Sequence, residues 1–194
     1  MDLEIKRQIV HASGILTILL IQLFGKWVAS VLVLLIVLFL FFLAQYRKNR
    51  DKLKLFRIKA LDEFEEYLEE EIKAYERPNE SMKGAITFFT GCLIVIVLFS
   101  PSIAIPAIVI LSLSDALSTI IGKFYGKHKL SINKNKTWEG SLTFLITTFL
   151  ILLIFTNPLN ALAIGIITTF VEMLPKIDDN ISVPLVVGIL MFLV

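Results

Sequence analysis

Long charge-free runs alternate with short charged islands along this chain. From Trp27 to Ala44 there are 18 residues with no charge and only Ser30 as a polar interruption. At about 1.5 Å of rise per residue, such a run nearly crosses a hydrocarbon core of roughly 30 Å. Ala12 to Phe24 is shorter, and Gly25-Lys26 reads as a tight turn between the two, so the pattern predicts a helical hairpin. Further apolar runs cover Ala85 to Phe99, Ile103 to Ile121, Ser141 to Phe155, Asn160 to Leu174 and Val183 to Val194. Pro101 and Pro158 punctuate the turns, and Pro106 either kinks the fourth run or marks its start. The expectation is an all-α, polytopic membrane helical bundle of about seven transmembrane helices, a single integral membrane domain over residues 1–194.

Composition agrees with the pattern. Of 194 residues 56% are hydrophobic and 19% charged, too apolar for one water-soluble core of this length. The 19 basic and 17 acidic residues are unevenly spread, with 20 of them between Arg47 and Lys83. The net charge of +2 is a sum of local clusters that cancel, so it points to no nucleic-acid partner. The single cysteine, Cys92, rules out an intramolecular disulfide and a cysteine metal cage. No cleavable signal peptide is expected, because Met1 to Arg7 is polar and of mixed charge.

Loop charge sets the expected orientation. Arg47 to Lys59 holds seven basic residues and one acid, and Lys123 to Lys136 holds five and none. Placing both inside puts the N-terminus in the cytosol and Lys26, Pro101 and Pro158 on outer turns. Residues 1–11 and the loops 122–140 and 175–182 then share the cytosolic face. Within the cytosolic segment 46–83, Leu53, Phe56, Ala60, Phe64, Ile72 and Tyr75 recur at helical spacing. That predicts a charged amphipathic helix extending the second span, with a homodimerisation or partner helix as the alternative.

Two acids enter the apolar spans. Asp115 lies seven residues before Gly122, about 10 Å below that loop by helical rise. An acid in hydrocarbon costs roughly 2.5–3.5 kcal/mol on insertion scales, which marks it as a functional candidate. Ser112, Ser118, Thr119 and Gly122 share its face, and Gly165, Thr168 and Glu172 form a similar face in the sixth span. Hydroxyl bonding between helices accounts for the Ser and Thr residues singly, but less readily for two acids facing a basic loop. That loop, Gly122 to Gly140, offers lysines for a triphosphate and glycines whose amides approach phosphate oxygens, without a Walker pattern. Asp178, Asp179 and Asn180 add oxygen donors suited to magnesium.

These residues resemble the CTP-dependent lipid kinases: dolichol kinases, phytol and other prenyl-alcohol kinases, and yeast-type diacylglycerol kinase. The family pattern D-x-x-A-x-x-x-G-x-x-x-G, eight residues, then K-K-T-x-E-G is matched by Asp115, Gly122, Gly126, Lys136, Thr137, Glu139 and Gly140. Ser118 replaces the alanine and Asn135 the first lysine, with Lys134 beside it. Weaker flanking motifs are matched by Glu4, Arg7 and His11, and by Glu172, Asp179, Asn180 and Pro184.

The resemblance implies transfer of the γ-phosphate of CTP to a membrane lipid alcohol, of dolichol or polyprenol type, at a site facing the cytosol. It implies Asp115, Lys136, Arg7 and His11 as catalytic residues. Nucleotide contacts fall to Gly122, Lys123, Gly126, Lys127, Lys136, Thr137, Glu139 and Asn180, and magnesium to Asp115, Glu172, Asp178 and Asp179. Asp115 serves either as general base or as metal ligand. Phosphatidate cytidylyltransferases share the central motif but usually end in a P-G-H-G-G-type motif, and no H-G-G occurs here. A non-enzymatic membrane scaffold built on segment 53–77 is the remaining alternative.

Overall fold

The computed structural model describes residue 11 and residues 14–49, 82–175 and 178–194. Arg7 and most of the charged segment 46–83 therefore lie outside the described residues. Among the described residues seven α-helices follow in order: α1 Ile15–Asn49, α2 Lys83–Leu98, α3 Pro101–Val109, α4 Asp115–Phe124, α5 Trp138–Leu152, α6 Pro158–Met173 and α7 Asp179–Leu193. The π-helical turn Ile110–Ser114 joins α3 to α4. Among the described residues the one β-type pairing is an isolated bridge between Lys129 and Thr137. The all-helical expectation holds.

Local chemistry explains the boundaries. Gly25 breaks α1 with φ 78° and ψ 166°, a backbone that only glycine adopts without strain. Lys26 Nζ donates to Phe99 O at 2.7 Å, satisfying a carbonyl at the C-terminal end of α2. Pro101 and Pro158 open α3 and α6, where a missing N–H costs nothing, and Asn157 caps α6 by accepting from Asn160 N at 2.9 Å. Pro106 lies inside α3 rather than at its start. Downstream of it the helix widens, and Asp115 N–H donates to Ile110 O, five residues back.

The rod formed by α3, the π turn and α4 runs through the interior. It packs against α2, α5 and α7, with α1 also touching α3. Ala107, Ile108, Ile110 and Leu111 are fully buried against Phe144, Val183 and Val187. Around them α1 packs on α2, α2 on α7, α7 on α6, and α6 on α5. Asp115 therefore sits where the central rod leaves the core.

The outside of the bundle is apolar. Leu23, Trp27, Leu34, Leu38 and Phe42 of α1, with Phe192 and Leu193 of α7, all expose their side chains. Such continuous apolar exposure is compatible with membrane association. Two helical runs are long and apolar enough to cross a membrane, Ile15–Tyr46 and Pro101–Phe124. The other apolar helices, α2, α5, α6 and α7, have 15 or 16 residues each.

Gly91 marks the closest approach of α2 and α7: a Cβ there would lie 1.9 Å from Asn180 O. That atom is backbone, so the helices must separate to admit a side chain. Gly91→Val should destabilise the protein by about 1–3 kcal/mol, the usual cost of overpacking. Thermal unfolding in detergent should show the loss, and an unchanged midpoint would contradict this packing.

Candidate functional site

Asp115 is the first residue of α4 and is buried, directly after the π turn. Ser112, Ser114 and Ser118 around it are buried as well, and Ser118 Oγ donates to Asp115 O at 2.9 Å. His11 Nδ1 lies 3.8 Å from Asp115 Oδ2, an ion-pair separation, and its ring meets Phe88 edge-on at 4.9 Å. The α1 end of the site is thus brought against α2 and α4.

The loop after α4 is folded by its own backbone. Trp138 N donates to His128 O at 2.9 Å, and Leu130 N to Lys136 O at 3.0 Å, with the Leu130 side chain buried as an anchor. Glu139 clasps the loop from outside: Oε1 meets His128 Nδ1 at 2.7 Å, and Oε2 accepts from His128 N at 3.3 Å. Backbone amides at the start of α5, its own first, and then His128 pull the Glu139 carboxyl down to about 2. Thr137 caps α5, its Oγ1 accepting from Gly140 N at 3.2 Å.

The motif glycines have a packing role. A Cβ on Gly122 would meet Thr137 Oγ1 at 3.0 Å, and one on Gly140 would meet Ser118 O at 2.8 Å. One on Gly126 would lie 2.1 Å from Gly122 O. They let α4 and α5 cross with Thr137 wedged between. Gly122 is inside α4, where its amide belongs to the helix's own ladder, while the residue itself lines the cavity described below.

This folding delivers Lys136 to the centre of the site. Its ammonium donates to Glu172 Oε1 and to Asp179 Oδ2, each at 2.5 Å. Ser141 Oγ donates to the other Glu172 oxygen, Oε2, at 3.0 Å. Burial alone would push the Lys136 ammonium down, but Asp179, Glu172 and Asp115 together raise it above its ordinary value. Asp179, at the α7 start and outside the expected span, is lifted to about 7 by burial, against the pull of Lys136 and with Asp115 and Glu172 adding to the rise. Three acids share one ammonium.

A cavity of about 880 Å³ opens over this cluster. His11, Asp115, Gly122, Lys123, Gly126, Lys136, Thr137, Glu172, Asp178, Asp179 and Asn180 all line it. His11, the basic loop and the 178–180 turn thus meet at one end of the bundle. Lys127 and Glu139 do not line it, and Glu139 instead fastens His128. The sequence reading passed over Lys83, Lys129, Asn133 and Ser141, which do. Ser141 directly follows the matched Gly140, the one signal that could have found it.

The magnesium set expected from the sequence is not preassembled. Among the described residues no group of three or more His, Cys, Asp and Glu side chains forms a metal cage. The reason is physical: the Lys136 ammonium stands between Glu172 and Asp179, and Asp178 Oδ1 is engaged as the α7 cap, accepting from Asn180 N at 3.1 Å. The donor chemistry nevertheless fits a hard cation. Asp115, Glu172, Asp178 and Asp179 all line the cavity, and Asp179 Oδ1 is buried with no hydrogen-bond partner among the described residues.

The chain is similar to several known proteins. The chain is 31% identical over 138 residues to a probable phytol kinase of Zea mays, covering 60% of this chain and 45% of that protein. It is 37% identical over 117 residues to an uncharacterised protein of Methanocaldococcus jannaschii, 58% of this chain and 60% of that one. It is 25% identical over 138 residues to CTP-dependent diacylglycerol kinase 1 of Schizosaccharomyces pombe, 61% of this chain and 63% of that one. The chain spans about half the length of the phytol kinases it matches. No family model matches the chain, and no solved structure does. Relatives named phytol kinase and CTP-dependent diacylglycerol kinase thus support the resemblance to CTP-dependent lipid kinases.

Two outcomes follow from the ammonium–carboxylate cluster. Lys136→Met strips the buried Glu172 of its counter-charge, and unfolding should register a loss of about 3–5 kcal/mol. Asp179 is raised in the fold, so between its ordinary value of 3.8 and about 7 the native state binds the extra proton. Stability should therefore fall as pH rises through that window. Asp179→Asn should flatten this pH dependence in thermal unfolding between pH 5 and 8, and a slope that survives the substitution would exclude Asp179 as its source.

Proposed function

We propose that this protein is a CTP-dependent lipid kinase that passes the γ-phosphate of CTP to the hydroxyl of a membrane isoprenoid alcohol. One observation carries the reading. Asp115, at the core end, and Lys136, fixed on the basic loop, line a single cavity, in a chain that is similar to relatives named as kinases. In this reading a triphosphate lies along the loop lysines, and a lipid hydroxyl arrives at the Asp115 end with its tail in hydrocarbon.

Phosphoryl transfer asks a protein mainly for positioning and for charge opposite the equatorial oxygens. Lys136 and Lys123 provide positive charge beside the triphosphate, and Lys136 addresses the transferred group. Asp115, within reach of the hydroxyl, accepts its proton as the alcohol oxygen forms a bond to the γ-phosphorus. The bond from that phosphorus to the β–γ bridging oxygen breaks, and CDP leaves. His11, beside Asp115, orients its carboxylate. Asp179, with Asp178 and Asn180 near, would hold magnesium, which would supply charge neutralisation.

The chain crosses the membrane about seven times in this reading, with its N-terminus and the cavity facing the cytosol. The meeting of residue 11, the basic loop and the 178–180 turn in one cavity supports placing all three on one face. Among lipid alcohols, the names of the plant relatives favour a prenol over a diacylglycerol. Nothing in the spans separates phytol from longer polyprenols, and dolichol-type alcohols remain within the class proposed.

The decisive experiment incubates the purified protein with prenols and CTP labelled separately at the α and γ positions. Only γ-label should reach lipid, and α-label in lipid would establish a cytidylyltransferase instead. Asp115→Asn should reduce γ-transfer at least 100-fold, in line with general-base contributions of roughly 10²–10⁴. A cysteine placed at Ser131 should be labelled only from the cytosolic side, and labelling only from outside would overturn the topology.

A further inference from the structure

Ser141 lies one residue beyond the matched motif and has no assigned role, yet it is almost fully buried and makes a single directed contact. Its Oγ donates to Glu172 Oε2 at 3.0 Å, while Glu172 Oε1 receives Lys136 at 2.5 Å. Both oxygens of the Glu172 carboxylate are therefore committed, one to each partner. The second carboxylate on Lys136 is held differently: Asp179 gives one oxygen to the ammonium, and its other has no hydrogen-bond partner among the described residues. One arm of the Lys136 clamp is braced and the other is not.

We infer that Ser141 is a positioning residue, which braces Glu172 so that Glu172 is the fixed partner of Lys136 and Asp179 the exchangeable one. This rests on the proposed role of Lys136 beside the triphosphate, although the brace itself belongs to the protein without ligand. A buried carboxylate with one oxygen released can rotate about its terminal torsion, whose profile is broad. The short Ser141 side chain removes that freedom from the base of α5, in the same turn as the Thr137 cap. When phosphate oxygens arrive, the ammonium leaves the unbraced carboxylate first and stays aimed by the braced one. Lys136 then turns about Glu172 toward the transferred group.

The test reads Lys136 directly in the full-length protein in detergent, using trace acetic anhydride and peptide mass spectrometry. Lys123 and Lys129 serve as internal standards, because both line the same cavity outside the clamp. Ser141→Ala should raise the acetylation rate of Lys136 at least threefold relative to those two lysines, and Ser141→Thr should restore it. An unchanged ratio overturns the inference, and so does an equal rise at all three lysines, which would signify general loosening. With CTP and lipid, Ser141→Ala should lower kcat about tenfold with KM for CTP within twofold, and Ser141→Thr should recover most of it. An equal loss in both variants overturns the positioning role. The labelling ratio needs no turnover, so a wild-type protein that fails to transfer γ-phosphate refutes the kinase reading alone.

Discussion

The position of one ammonium organises this structure. Lys136 is carried on a loop, yet its partners come from the C-terminal end of α6 and the start of α7, 36 and 43 residues later. A lysine and two acids in low-dielectric surroundings are costly separately and tolerable only together. The arrangement therefore ties three segments that apolar packing alone would leave free to slide. Packing of α5 on α6 and α6 on α7 supplies the bulk contact, and the ion cluster selects the register.

The remaining features serve that placement. Thr137 caps α5 and fills the crossing of α4 and α5 that Gly122 and Gly140 permit. Glu139 holds the exposed side of the loop through His128, so the loop is fastened at both faces before any ligand arrives. Three acids, Glu172, Asp179 and Asp115, act on this one ammonium, and together they hold its charge against burial.

Much of the helical layout was legible because apolar runs and prolines report directly on burial and on missing N–H groups. Pro101 and Pro158, read as punctuating turns, open two helices, and Gly25, read as the tight turn of a hairpin, interrupts the single run α1, each through backbone constraints that act locally. The candidate site was legible in part. Asp115, Lys136, Glu172 and Asp179 stood out as charges in or beside apolar surroundings, and the structure gathers them. That Lys136 pairs with the two later acids was not legible, because sequence spacing carries no information about contacts between separate helices. The packing role of the glycines was not legible for a related reason. A G-x-x-x-G spacing suits both an amide cradle and a close helix crossing, and the crossing shows only in the placement of Thr137 against Gly122 and Gly140. Lys83, beside a charged segment, had no pattern to distinguish it from its neighbours.

The π turn at Ile110–Ser114 gives the central rod a property that a uniform helix would lack. Each residue along an α-helix turns the chain by about 100°, so one extra residue swings everything beyond it to another face. Here the extra residue falls between the part of the rod that seats in the core and the part that bears Asp115. The two parts therefore answer to different requirements. Repacking around Ala107 and Ile108 can be accommodated upstream without re-aiming the acid, and the motif face can be tuned without disturbing the core.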